Sequence, residues 1–219
     1  MLLETKYWVL LWKSTLETGY MVGVSSLLTA LVGIPLGILL VVCRRGHILE
    51  NRALSLSLAF VVNATRSIPF PIFIVFVMPL TRILAGTGIG TEATIVPLTL
   101  GAVVFMARLA ETALLEVPRG VIEAAQAAGA SSRQIIWRVL LPEARAGLIM
   151  AVTITIITLI SYSAMAGAVG GGGLGDLAIR YGYQRYQTDL MMVTVAFLIV
   201  VVQAIQTLGD HLVRRISWR

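Results

Sequence analysis

Residues 118–142 read PRGVIEAAQAAGASSRQIIWRVLLP, a polar, alanine-rich and arginine-bearing insert between two long apolar runs. Pro118 suits the first turn of a helix, where its missing N–H has no partner to lose, and Gly129 suits the left-handed position just past a helix end. Ser131 followed three residues later by Gln134 is a capping box, which starts a second short helix. Pro142 stands where a third helix, already entering a membrane, begins. The insert is therefore read as two short helices joined at Gly129, with membrane spans on either side. The chain is then an all-α integral membrane protein.

Composition requires the same class. Of 219 residues, 58% are hydrophobic and 13% charged, and the mean hydropathy is +0.89, far outside the range of soluble globular domains. The net charge of +6 does not point to nucleic acid, because the basic residues cluster beside apolar runs as topology determinants do. No nucleic-acid partner is expected. The single cysteine, Cys43, excludes an intrachain disulfide and offers no metal cluster. The first 18 residues contain Lys6 and Lys13 but no small-residue cleavage site, so no removable signal peptide is expected.

Five spans are expected in one transmembrane domain over residues 1–219. Residues 1–18 mix apolar side chains with Glu4, Lys6, Lys13 and Glu17 and suit an outer interfacial segment, with Tyr7, Trp8 and Trp12 as belt residues. The first span covers 19–42, where Gly19 with Gly23 and Gly33 with Gly37 form two GxxxG pairs suited to close helix packing. The apolar run 53–84 is too long for one perpendicular crossing, and Pro69 and Pro71 disfavour an unbroken helix. An elbow over 50–65 and a second span over 68–81 follow, with Arg66 at the boundary; the alternative is one tilted, kinked helix with Arg66 snorkelling. The third span, 93–107, ends at Arg108 and Glu111, which share a helix face and can pair.

The fourth span, 146–169, carries no charge, and the fifth covers 190–208, where Gln203 and Gln206 suit interhelical hydrogen bonds. Between them, the glycine run at 170–173 allows a close backbone approach or a sharp bend, serving either a docking surface or a simple turn. Tyr181, Tyr183 and Tyr186 suit the outer interface.

Orientation can be counted. Arg44, Arg45, Arg52, Arg66, Arg119, Arg133, Arg138, Arg145, Arg214, Arg215 and Arg219 fall on the side of the insert; Lys6, Lys13, Arg82, Arg180 and Arg185 fall on the other. The positive-inside rule then places the N-terminus outside and the C-terminus, with the insert, in the cytoplasm.

No energy source lies within the chain. The lysines, Lys6 and Lys13, precede every span, so there is no GxxxxGK[ST] phosphate loop, and GGGGLG at 170–175 lacks the required Lys. No span holds an internal carboxylate or His able to relay protons. Catalytic, cofactor and metal residues are therefore not assigned, and an intramembrane enzyme lacks its chemistry. An external motor is expected; a non-transporting membrane scaffold is the alternative.

Glu123-Ala124-Ala125, three residues, Gly129, nine residues, Val139, one residue and Leu141-Pro142 resemble the EAA loop of ABC importer permeases, with Val139 where that pattern usually has Ile. In that family the loop docks as a coupling helix into a groove on a cytoplasmic ATPase. The resemblance assigns the ATPase-coupling surface to Glu123, Ala124, Ala125, Gly129, Ala130, Ser131 and Arg133. Alanines and glycine leave a slim face for a partner, and Glu123 and the arginines can fix its orientation. The alternative is an amphipathic hairpin on the membrane surface.

NATRSIPFPIFIVFVMPLTR at 63–82, IVPLTLGAVVFMARLAETALLEVP at 95–118, ITLISYSAMAGAVGGGGLG at 157–175 and GDHLVRR at 209–215 extend the likeness to methionine ABC importer permeases. This resemblance implies a type I importer permease fold with five transmembrane helices per protomer, a homodimer in the bacterial inner membrane and a cytoplasmic ATPase dimer that binds ATP and Mg. It also implies an extracytoplasmic methionine-binding protein. Another small amino acid or a quaternary osmolyte is the alternative cargo. Within the fourth span, Thr155, Thr158, Tyr162 and Met165 recur at helical spacing and share a face. That face either lines a translocation path or packs between helices with its threonines bonded to local carbonyls.

Overall fold

The computed structural model describes residues 5–216, whose regular structure is entirely helical. Glu4 and Arg219, invoked above, lie outside the described residues. Helix α1 (Thr5–Val42) is unbroken, so residues 5–18 continue the helix of the first span. The physical reason is a continuous buried stripe, Leu11, Ser14, Thr18, Met21, Ser25 and Thr29, that keeps helical spacing across the expected boundary.

Among the described residues, four helices are long and apolar enough to cross a membrane: α1, α5 (Thr91–Leu115), α9 (Arg145–Gly167) and α11 (Thr188–Ile216). The region between α1 and α5 is built from pieces. α2 (Arg52–Arg66) is capped by Asn51, whose side chain accepts the Leu54 N–H at 3.0 Å. It meets α3 (Phe70–Phe76) at 104°, and this bent pair brings the number of spans to five if counted as one. The chain thus makes an elbow and not a single kinked helix. The segment expected as a second span over 68–81 is interrupted at Val77, where α4 (Met78–Ala85) begins. Pro79 explains the break: it has no N–H to donate, and its ring would press on the preceding turn.

α1 and α5 pack most closely, through the second GxxxG pair. A Cβ on Gly33 would stand 2.8 Å from the Met106 Cβ, and one on Gly37 would stand 2.6 Å from the Ala110 Cβ. Only hydrogen fits at either place. The first pair, Gly19 and Gly23, meets open space within the chain. The main core lies midway along the bundle, where Met21, Phe70, Phe73, Leu98, Leu159 and Ile160 pack together. A second core closes the end near the 118–142 insert.

Candidate functional site

The insert folds as its local signals dictate. Pro118 precedes α6 (Arg119–Ala127), and Gly129 follows it with φ +80°. The Ala130 N–H donates to the Ala125 carbonyl at 3.0 Å and the Gly129 N–H to the Gln126 carbonyl at 2.9 Å. These two bonds form a Schellman cap, which satisfies the carbonyls at the helix end. Ser131 and Gln134 then form the reciprocal capping box of α7 (Ser132–Ile135). A π-helical turn, Ile136–Leu140, runs into α8 (Leu141–Glu143). The wider turn lets the chain pass Pro142, which cannot bond the preceding turn.

α6 is anchored from behind. Ile122 and Ile135 are buried against Val41, Val42 and Cys43 at the end of α1 and Leu114 and Val117 at the end of α5. Gly120, Glu123, Ala124 and Ala127 are exposed on the opposite side, at the spacing of one helical face. Of the expected coupling residues, Glu123, Ala124, Gly129, Ser131 and Arg133 are exposed, while Ala125 and Ala130 are half-buried and pack toward the second core. Trp137, not singled out by the sequence reading, is also exposed, at 65%. A large aromatic left outside on a polar insert was the available signal.

The base of the insert is tied to the elbow. The buried Glu111 carboxylate pairs with Arg108 on α5 and lies 3.7 Å from Arg44 beyond α1. Arg108 also donates to the Asn63 side chain on α2 at 2.7 Å. The pairing of Arg108 with Glu111 was legible; its extension to Arg44 and Asn63 joins three elements distant in sequence. His47, in the connection after α1, has its imidazole pKa pushed below the ordinary value by burial, then by Arg119 and Arg44.

The fourth-span face divides. Thr155 is buried, donating to the Ala151 carbonyl at 2.7 Å and touching the Met106 sulfur at 3.3 Å; Thr158 donates to the Ile154 carbonyl at 2.8 Å. Met165 is exposed, at 46%. Tyr162 stacks on Phe70 and lines a cavity of about 230 Å³ with Arg66, Phe73, Gly101, Val104 and Phe105. Both threonine hydroxyls thus satisfy local carbonyls, and Tyr162 is the member of the set that faces this cavity. Gln206 bonds Asp210 of its own helix at 3.0 Å and Gln203 is exposed, so neither bridges to another helix of the described chain.

The glycine run is turned inward. Gly171, Gly173 and Gly175 are buried, and α10 (Gly173–Leu177) folds back on the end of α9. A Cβ on Gly175 would come within 2.4 Å of the Ala164 Cα. The Gly173 N–H donates to the Glu17 carboxylate and the Leu174 N–H to the Thr18 hydroxyl, both at 2.9 Å. The close backbone approach expected of this run is therefore made within the chain, and these glycines do not form an exposed docking surface. Beyond it, Tyr181 is half-buried under Arg185, while Tyr183 and Tyr186 are exposed.

A family model described as the inner membrane component of binding-protein-dependent transport systems matches residues 33–218. A Vibrio cholerae protein named as a probable D-methionine transport system permease, MetI, is 54% identical over 96% of this chain and 93% of its own length. Its namesake in Pasteurella multocida is 44% identical over 98% and 99%. A chain from the inward-facing MetNI methionine ABC transporter superposes with a TM-score of 0.97 at 46% identity, over 98% of this chain and 100% of that one. An amino acid ABC transporter crystallised with histidines shares the fold at TM-score 0.79 and 17% identity.

Proposed function

The chain belongs to the family of inner membrane components of binding-protein-dependent transport systems, and from that premise we propose that it is the permease subunit through which a partner ATPase drives methionine import. The observation that carries this is α6: a short helix, closed by a Schellman cap, presenting Gly120, Glu123, Ala124 and Ala127 outward while Ile122 grips the ends of α1 and α5. A face of small residues lets a partner come close, and its rigid backing transmits movement into the bundle.

Two copies of the chain enclose the path, and each offers α6 to one ATPase subunit. ATP and Mg are held by that partner. ATP binding closes the ATPase pair and draws the coupling helices together. Movement passes through Ile122 and Ile135 to α1 and α5, and the bundle goes from inward-open to outward-open. An extracytoplasmic binding protein then delivers methionine, and hydrolysis resets the cycle. The arginine excess on the side of the insert supports an extracytoplasmic N-terminus and a cytoplasmic C-terminus in the inner membrane. Glu123, Ala124, Ala125, Gly129, Ala130, Ser131 and Arg133 make the ATPase-docking element, the exposed members by contact and the half-buried ones by seating it.

The test is uptake of labelled L- and D-methionine in proteoliposomes holding this chain, its ATPase and its binding protein. ATP-dependent accumulation of either isomer is the expected result. Stimulated ATP hydrolysis without methionine uptake would exclude methionine as the cargo.

A further inference from the structure

Arg66 ends α2 at the elbow, and its side chain reaches the cavity of about 230 Å³ at the level of Gly101, Val104 and Phe105. Those residues sit in the middle of α5. At 1.5 Å per residue, Val104 is about 20 Å along the helix from Thr91 and about 17 Å from Leu115. The elbow thus brings Arg66 level with the middle of α5. Arg66 is exposed on the single chain, and the next charge along α5, Arg108, is about 6 Å of helix beyond Val104. A guanidinium facing a cavity inside a bundle is held by water, by carbonyls or by an anion.

No described residue supplies an anion there. The Arg66 guanidinium has no hydrogen-bond or ion-pair partner among the described residues. Glu111 lies about 10 Å further along α5 toward its inner end and is taken by Arg108 and Arg44. Glu17 and Asp210, inside the other long helices, are bonded to Gly173 and Gln206. A second copy related by an axis along the membrane normal holds each of its residues at the same depth as this one, so it has no carboxylate to offer either. An anion drawn to Arg66 therefore comes from a bound molecule and not from the described residues.

The rest of the cavity indicates its chemistry. Phe70, Phe73, Phe105 and Tyr162 form an aromatic wall beside the one cation. Such a wall suits an apolar or thioether side chain, since sulfur packs favourably against aromatic rings. We propose that Arg66 holds the α-carboxylate of the amino acid in transit while the Phe70–Tyr162 wall receives its side chain. A single charged arm in a wet cavity orients the substrate yet lets it leave. This inference rests on the amino-acid import reading above.

Arg66→Gln and Arg66→Lys are compared with wild type in the reconstituted system with ATPase and binding protein. Methionine uptake per ATP hydrolysed falls about tenfold in R66Q, the loss of one charge-assisted hydrogen bond. Stimulation of the ATPase by loaded binding protein stays within about twofold, and R66K recovers part of the uptake. Unchanged uptake in R66Q overturns the proposal, as does an equal loss of uptake and stimulation, which marks a packing role. A wild-type complex that imports no methionine overturns the cargo instead, and R66Q must then depress whichever labelled amino acid moves. Independently of cargo, the new thiol of R66C, in a C43S background, must react with a charged methanethiosulfonate in water. Failure to react also overturns the proposal.

Discussion

The rings of Phe70 and Tyr162 lie parallel, with centroids 4.0 Å apart and planes 5° from one another. This stack ties α3, just past the elbow, to α9 at the wall of the central cavity. The stack passes close to α5, where a Cβ on Gly101 would stand in ordinary contact with the Phe70 ring at 3.4 Å. Tyr162→Phe keeps the stack and is expected to melt like wild type. Tyr162→Ala removes both the stacking and apolar packing, together about 1–3 kcal/mol. The unfolding temperature of the purified complex reads the difference, and equal melting of the two variants would refute the tie.

Gly129 has φ +80° and a clear space where a Cβ would stand. Its constraint is therefore conformational. Gly129→Ala should weaken the Schellman cap by about 1 kcal/mol, and Gly129→Val by more, because L residues resist the left-handed region. Insertion and folding of the spans are expected to remain, while substrate-stimulated ATP hydrolysis falls. Normal coupled activity in Gly129→Val would remove α6 from the role assigned to it.

The two sites differ in how far they can be read from residues alone. The C-terminal cap of α6 and the capping box of α7 depend on hydrogen bonds between residues three to five apart, so Gly129, Ser131 and Gln134 carry their own instructions. The long spans follow from runs of apolar residues. Arg66 is different: Pro69 and Pro71 mark the break after it, but the 104° angle between α2 and α3, which brings it beside the middle of α5, is set by packing. Thr155 and Tyr162 share a face by spacing, yet Met106 covers one and Phe70 stacks on the other. Which neighbour meets which turn of a helix is decided by tertiary packing. The partner of the glycine run is hidden for the same reason, since the backbone that Gly171 admits belongs to Ala166 of the same chain.

Glu111 neutralises two arginines at the inner end of α5 while buried itself. Glu111→Gln leaves Arg108 facing Arg44 with no carboxylate between them. The expected loss is about 1–3 kcal/mol, below that of a fully buried pair because Arg44 reaches solvent. Removing Arg108 as well, in the E111Q/R108Q double variant, should return part of the loss. Thermal melting across that double-mutant cycle measures the coupling, and strict additivity would contradict the brace.

His47 makes the connection between α1 and α2 sensitive to acid. Its imidazole is partly buried between Arg44 and Arg119, and its pKa lies below the ordinary 6.5. The unfolded chain therefore binds the proton more readily than the folded one. Stability from neutral His47 is present above the unfolded value and is lost progressively as pH falls below it toward the folded pKa. Arg119 opens α6, so a proton on His47 adds a third positive charge at the base of the coupling helix. Wild type should thus melt at a lower temperature at mildly acid pH than at neutral pH. His47→Gln, which cannot charge, should show a smaller drop over the same interval. Melting curves of both proteins at the two pH values test this directly, and parallel drops would assign the acid sensitivity to other groups.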